Sequence, residues 1–313
     1  MKNILQKLVT LFITLFCISF LTFTAFSVIP GDAALSRLGK DASPEQVEAL
    51  REELGLSDPL PVRYGRWIGS ALQGDFGESY RYQNNTVKSL ISHRLPVTIL
   101  LALISLCIIL VISVPLGILS ARYSGKWIDV VSTQVTQVIM AVPAFFLGIL
   151  LTYIFGLVLK LFQPGAFIAP SENLGASLRY LFFPALAVAL PKIAMVVRFL
   201  RNSVLSEMEK DYIRTAYSKG NSENAVLYKH VLKNALIPVV TFLAMVIAEI
   251  LAGSIVVEQV FSVPGLGRLL VSSISNRDYP VVQAIVLYIT CVVVTMNFIV
   301  DVLYEVLDPR VRV

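Results

Sequence analysis

Glu249 lies in the middle of an apolar run at 236–257, Glu258 follows just beyond it, and Asp301 sits in a further run at 283–306. An acid at membrane depth costs roughly 2.5–3.5 kcal/mol on insertion scales, so its presence has two readings. It lines a path for protons or ions, or it makes a protonated or hydrogen-bonded contact between helices. Lys192 occupies another apolar run, about 9 Å along a helix axis from Arg198. Its simplest reading is a stem that snorkels towards that end. A second constellation is basic. Arg198, Arg201, Lys210, Arg214, Lys219, Lys229 and Lys233 flank and punctuate the run Asp211-Tyr-Ile-Arg-Thr-Ala-Tyr-Ser-Lys-Gly220. A mixed-charge segment between two apolar blocks is built for something to dock against.

Other chemistries lack their residues. Cys17, Cys107 and Cys291 all fall inside apolar runs without C-x-x-C or zinc spacing and read as small buried residues. His93 and His230 are too separate to form a metal cage; His93 alone, at the mouth of the second apolar run, could touch a passing metal. Gly125-Lys126 and Lys219-Gly220 lack the context of a phosphate-binding loop, so no ATP site of that kind is encoded. No nucleophile–base pair suggests an enzyme. No catalytic residue, metal site or cofactor is expected in this chain.

The elements that carry these residues follow from composition. Of 313 residues, 56% are apolar and 15% charged, against about half and a quarter in soluble domains. The mean hydropathy is +0.74. The excess lies in blocks long enough to cross a bilayer: 8–29, 97–121, 134–159, 180–198, 236–257 and 283–306. The fourth is the weakest, because Pro184, Pro191 and Lys192 interrupt it, and proline in a spanning helix needs neighbours that satisfy the freed carbonyls. The first exceeds a signal-peptide core and is followed by more spans, so it reads as a retained helix. With the N-terminus inside, short inside segments hold thirteen basic residues and short outside loops four, which places both termini in the cytoplasm. The basic residues lie beside apolar spans rather than on a soluble face, which argues against nucleic-acid binding.

The outside loop at 30–96 reads as a folded element. Ser43, Pro44 and Gln46 form an N-cap, an N1 proline and a capping-box partner. Val47, Leu50, Leu54 and Leu56 give a helical stripe ending at Gly55. Tyr64, Trp67, Ile68 and Leu72 form a second amphipathic stretch, and Gly74-Asp-Phe-Gly77 a turn. Either stretch suits the membrane interface or a cap on the bundle.

The basic segment divides into two helices. Residues 207–219 are helix-prone, with Tyr212, Ile213, Ala216 and Tyr217 on one face. Gly220 suits the left-handed position after a helix, and Ser222 caps a second helix with Glu223 in its first turn. Val226, Leu227, Val231 and Leu232 form that helix's apolar face.

Ala216, Gly220 and Asn234-Ala-Leu-Ile-Pro238 resemble the cytoplasmic loop of ABC importer permeases. The general pattern of that loop is Glu-Ala-Ala, three residues, Gly, nine residues, then Ile-x-Leu-Pro. Here the triplet is Arg214-Thr215-Ala216, and His230, Leu232 and Lys233 stand at the later positions, so Ala216, Gly220 and Leu232 match. The variant resembles the dipeptide, oligopeptide and nickel branch. So do Pro30-Gly-Asp32, Ser43-Pro-Glu-Gln-Val47, Glu53-Leu-Gly-Leu56, Gly74-Asp-Phe-Gly77, Val256-Val-Glu-Gln-Val-Phe-Ser-Val-Pro-Gly-Leu-Gly267, Asn276-Arg-Asp-Tyr-Pro280 and Asp308-Pro-Arg310.

The resemblance implies an all-α polytopic membrane protein with six spans and the type I ABC importer transmembrane fold. Its divisions would be a first helix at 1–29, the outside loop at 30–96, a core of five helices at 97–307 that contains a coupling segment at 199–235, and a cytoplasmic tail at 308–313. By position, Tyr212 to Ser222 would dock in a cleft of a cytoplasmic ATPase. Arg214, Lys219 and Glu223 would make rim contacts, Thr215 and Ala216 would lie in the contact with Ala216 allowing close approach, and Gly220 would turn the corner. The implied partners are a second homologous permease, two ATP-binding subunits that hold ATP and Mg, an extracytoplasmic binding protein and membrane lipid. The implied cargo is a peptide or chelated nickel, carried across a bacterial inner membrane. The competing class is an ion-gradient-driven transporter or channel that uses Glu249 in a relay. No inverted repeat supports it.

Overall fold

The computed structural model describes residues 2–28, 34, 38, 42–53, 55–82 and 84–307. Pro30-Gly-Asp32, Leu54 and the 308–313 tail lie outside the described residues. Among those described, five helices are long and apolar enough to cross a membrane, or six if one bent pair is a single crossing. The β structure among them is one isolated bridge between Glu78 and Thr86.

In chain order the helices are α1 (Lys2–Val28), α2 (Pro44–Glu53), α3 (Leu60–Leu72), α4 (Val87–Arg122), α5 (Trp127–Ala141) and α6 (Ala144–Leu151), which continues as a π-helical stretch at Thr152–Val158. Then come α7 (Leu174–Met208), α8 (Asp211–Ser218) and α9 (Glu223–Ala225). A π-helical turn at Val226–Val231 leads into α10 (Leu232–Gly253), followed by α11 (Ile255–Val260), α12 (Leu266–Ser275) and α13 (Tyr279–Leu307).

Three spans depart from the sequence expectation. The third is not one helix over 134–159. It is α5 and α6, bent by 98°. Val142 precedes Pro143, whose ring disfavours the helical region for the residue before it. Val142 accordingly sits at φ −94°, ψ 124°, and Pro143 starts a new helix. The fourth, expected to be the weakest, is the 35-residue α7, continuous through Pro184 and Pro191. It is the most buried of the candidate spans. Its prolines lie where protein rather than lipid surrounds the freed carbonyls, the condition that makes them tolerable. The second span also begins early, at Val87 rather than 97, because the Thr86 hydroxyl accepts from the Ser89 amide and so starts the helix.

The chain divides into two compact units. The first takes its described residues from 1–98 and 264–295. Here α3 lies on α1: Tyr64 is ringed by Phe16, Phe20 and Phe23, and its hydroxyl is 2.8 Å from the Ser19 hydroxyl. The second amphipathic stretch therefore caps the first span, although Leu72, at 83% exposed, does not join its apolar face. The capping box of α2 is formed: the Ser43 amide donates to Gln46 Oε1 at 3.0 Å, and the Gln46 amide donates to Ser43 Oγ at 3.3 Å. Asp278, fully buried just before α13, accepts from the Ser79 hydroxyl and the Tyr80 amide, which anchors the 79–82 turn.

The second unit takes its described residues from 99–263 and 296–307. At its centre is α7, packed by α10, α5 and α6. Gly117 of α4 faces Leu200 of α7 so closely that a Cβ would lie 2.9 Å from the leucine side chain. Beside that contact lies the apolar cluster on which the basic segment rests: Ala121, Leu200, Val204, Ile213, Ala216, Val226 and others.

Candidate functional site

The segment between α7 and α10 is a short helix held by a corner at each end. α7 runs on to Met208, ten residues beyond Arg198, so the helix-prone stretch at 207–219 is split between α7 and α8. Lys210 adopts an extended conformation (φ −75°, ψ 147°) at the N-cap of α8. The break turns α8 so that Ile213 and Ala216, three residues apart and hence on one helix face, enter the apolar cluster. At its other end Gly220 has φ +80°, a left-handed conformation that costs other residues roughly 1–2 kcal/mol. The Asn221 side-chain amide donates to the Ala216 carbonyl at 2.9 Å, satisfying one of the orphan groups at the helix end. Ser222 then caps α9, its hydroxyl accepting from the Ala225 amide.

The π-helical turn at Val226–Val231 explains the apolar spacing that follows. Val226 and Val231 are five residues apart, as are Leu227 and Leu232, and all four are buried. A ladder of i→i+5 bonds aligns residues at that interval.

A polar clasp fixes α8 from the other side. Glu207, nearly buried at the end of α7, accepts from Lys210 Nζ and from the Tyr212 hydroxyl, each at 2.5 Å. The Tyr212 hydroxyl in turn accepts from Asn234 Nδ2 at 2.9 Å. Burial of the phenol, then its bond to Glu207, push Tyr212 above its ordinary value of 10.0, so it stays protonated and donating at physiological pH.

These contacts redistribute the expected docking residues. Ala216 faces its own chain, so the close approach it allows is between α8 and the cluster beneath it. Tyr212 and Tyr217 are not on a buried apolar face; both rings are part-exposed, and the Tyr212 hydroxyl points into the clasp. Arg214, Thr215, Lys219, Gly220, Ser222 and Glu223 form the exposed side. Arg214 approaches Asp211 at 3.7 Å, but with its side chain 82% exposed the pair contributes little.

The intramembrane charges are also placed. Lys192 Nζ donates to Glu249 Oε2, joining α7 to α10 at mid-span. Lys192 therefore does not snorkel towards Arg198, because an opposite charge lies within reach on the neighbouring helix and pairing removes the larger penalty. The pair is only partly covered: 53% of the Glu249 side chain and 21% of the Lys192 side chain are open. Glu258, by contrast, is fully buried in α11 and accepts from the Ser254 hydroxyl at 3.3 Å. Asp301 and His93 are exposed, on α13 and α4. No group of His, Cys, Asp or Glu that could hold a metal occurs among the described residues.

One constellation was not anticipated. Asp129, nearly buried in the first turn of α5, takes a bidentate bond from Arg201 of α7, with Nε to Oδ1 at 2.5 Å and Nη2 to Oδ2 at 2.7 Å. It also accepts from the Ser120 hydroxyl at 2.6 Å and the Gly125 amide at 2.9 Å. Arg201, counted above among the docking cations, locks α5 to α7 instead. Its sequence signal was the aspartate four residues after a turn glycine, in an otherwise uncharged helix.

Residues 113–313 match the family described as binding-protein-dependent transport system inner membrane component, and residues 1–102 match the N-terminal region described for the same membrane component. A putative peptide transport system permease protein of Brucella abortus (strain 2308) is 38% identical over 309 residues, covering 99% of this chain and 98% of that relative. The oligopeptide transport system permease protein AppB of Bacillus subtilis (strain 168) is 38% identical over 297 residues, 94% of each chain. A probable peptide ABC transporter permease of Sinorhizobium fredii (strain NBRC 101917 / NGR234) is 34% identical over 309 residues, 99% of this chain and 98% of the relative. With its all-helical, multi-pass architecture, the chain belongs to the binding-protein-dependent inner-membrane components, the permeases with the type I ABC importer membrane fold.

Proposed function

We propose that this chain is one of two related permease subunits of an ATP-driven peptide importer. It takes its cargo from an extracytoplasmic binding protein and its energy from two cytoplasmic subunits that bind ATP and Mg. Both termini and α8 lie on the cytoplasmic side, in keeping with the distribution of basic residues. The chain contributes no ATP site, since no phosphate loop is encoded. Peptides are favoured over a nickel chelate because the relatives at 34–38% identity are named for peptides and oligopeptides.

The observation that carries this reading is the build of the α8 corner. A short helix is pinned by an apolar cluster beneath, a polar clasp at one end and a glycine turn at the other, with Arg214, Thr215, Lys219, Ser222 and Glu223 left exposed. A part held rigidly on its inner face and charged on its outer face transmits a push without deforming. ATP-driven closure of two ATPases would draw the corners of the two permeases together, and rigid-body motion of the bundles would change the side to which the central cavity opens. Glu249 is assigned to the pathway wall, whereas Glu258, fully buried, lies behind any wall that this subunit contributes. The ion-gradient reading is disfavoured by the Lys192 partner, which supplies Glu249 with a counter-charge from the neighbouring helix.

The test is ATP-dependent uptake of trialanine by the complete importer in proteoliposomes, compared with the same importer carrying hydrolysis-dead ATPases. Uptake only in the first supports the assignment. Uptake in both, driven by an ion gradient, overturns it.

A further inference from the structure

The Lys192–Glu249 pair is a charge pair at mid-membrane that its own chain leaves partly open. Each residue has the other as a neighbour that explains why it is tolerated, but among the described residues about half of the Glu249 side chain and a fifth of the Lys192 side chain stay uncovered. A lipid-facing surface is the least favourable place for two such groups, and charges inside spans face a bundle interior or a watery cavity. The pair joins α7 to α10, two closely packed helices of the second unit, so it cannot drift along the bilayer to its edge.

We propose that Lys192 and Glu249 form a recognition point for the two termini of a peptide zwitterion in the translocation pathway, an inference that rests on the peptide reading above. A peptide with free ends carries one ammonium and one carboxylate. The carboxylate of Glu249 can take the ammonium, and the ammonium of Lys192 can take the carboxylate. Between cargoes the two residues neutralise each other, so the empty pathway holds no orphan charge. A passing zwitterion gives up the hydration of its two ends and opens the Lys192–Glu249 pair to form two intermolecular pairs of the same kind, and it can leave by the reverse exchange. Conduction needs such a balance, because a site must bind well enough to be entered and weakly enough to be left. Glu249 is the more open of the two and makes first contact with the ammonium end.

The experiment uses the complete importer in proteoliposomes, with its binding protein loaded to equal occupancy with trialanine, N-acetyl-trialanine or trialanine amide. The wild type is expected to take up trialanine about tenfold faster than either capped form, as a site built to pair a group rejects the analogue lacking it. Glu249→Gln abolishes the discrimination against the N-acetyl form and keeps that against the amide; Lys192→Met does the reverse. The double variant Lys192→Met/Glu249→Gln leaves no orphan charge to unfold the bundle, and it loses both preferences. Absence of any preference in the wild type, unchanged ratios in the variants, or equal slowing of all three peptides overturns the recognition role and leaves the importer assignment intact. Failure of the wild type to take up any of the three with ATP overturns the peptide reading and this inference together.

Discussion

The Tyr212 hydroxyl donates to Glu207 Oε1 at 2.5 Å and accepts from Asn234 at 2.9 Å, so one phenol ties the end of α7 to the first turn of α8 and the start of α10. The helix proposed to meet the ATPase is thus attached to both helices that would carry its movement into the membrane.

Removing that hydroxyl loosens the attachment without changing the ring. Tyr212→Phe leaves Glu207 to Lys210 and Asn234 and lowers stability by about 1 kcal/mol, the lower end of the range for a lost bond to a buried acceptor because the ring is part-exposed and two partners remain. Thermal unfolding of the purified complex measures the loss, and peptide-stimulated ATP hydrolysis should fall with it.

Gly220→Val tests the corner. A Cβ there meets no atom within 4 Å, so the cost is backbone strain at φ +80° alone, roughly 1–2 kcal/mol. Gly220→Asn is the control, since asparagine visits the left-handed region readily. Valine should lower peptide-stimulated ATP hydrolysis and transport while membrane insertion, read by protease accessibility, stays normal; asparagine should preserve both.

The lock between α5 and α7 predicts strong coupling between two substitutions. Arg201→Met strands the Asp129 carboxylate in a nearly buried site and costs about 3–5 kcal/mol. Adding Asp129→Asn to Arg201→Met should recover most of that loss. A double-mutant cycle on denaturant unfolding checks it, and simple additivity would exclude the lock.

The outer face of α8 should respond in the opposite manner. Arg214→Glu with Lys219→Glu removes no buried contact, so stability changes by about 0.5 kcal/mol or less. Association of the ATPase subunits should weaken by about tenfold and become less sensitive to salt, as expected for rim charges that steer docking. Titration of purified ATPase onto permease-containing nanodiscs gives both numbers.

Much of this was legible in the residues. The capping box at Ser43 and Gln46, the glycine turn at 220, the cap at Ser222 and the buried quartet from Val226 to Leu232 follow from local chemistry, and the structure has each of them. Features that depend on which helices become neighbours were not legible. Lys192 and Glu249 lie 57 positions apart, and Arg201 and Asp129 lie 72 apart; no local rule pairs them. The break at Val142 was available in principle from Pro143, but the hydropathy of 134–159 is continuous and hides it. Ala216 matched a motif position, and a motif says which residue is required without saying which way it faces.

Coupling as proposed requires α8 to be where the ATPase meets the membrane subunit. A photo-crosslinking residue at position 215, on the exposed face of α8, should capture the ATPase subunit in the assembled importer, while the same residue in place of Leu72 of α3 should not. Loss of the adduct when the ATPase is locked away from the permease would complete the result. An assembled, transporting complex that yields no ATPase adduct from position 215, or an equal adduct from position 72, would contradict it.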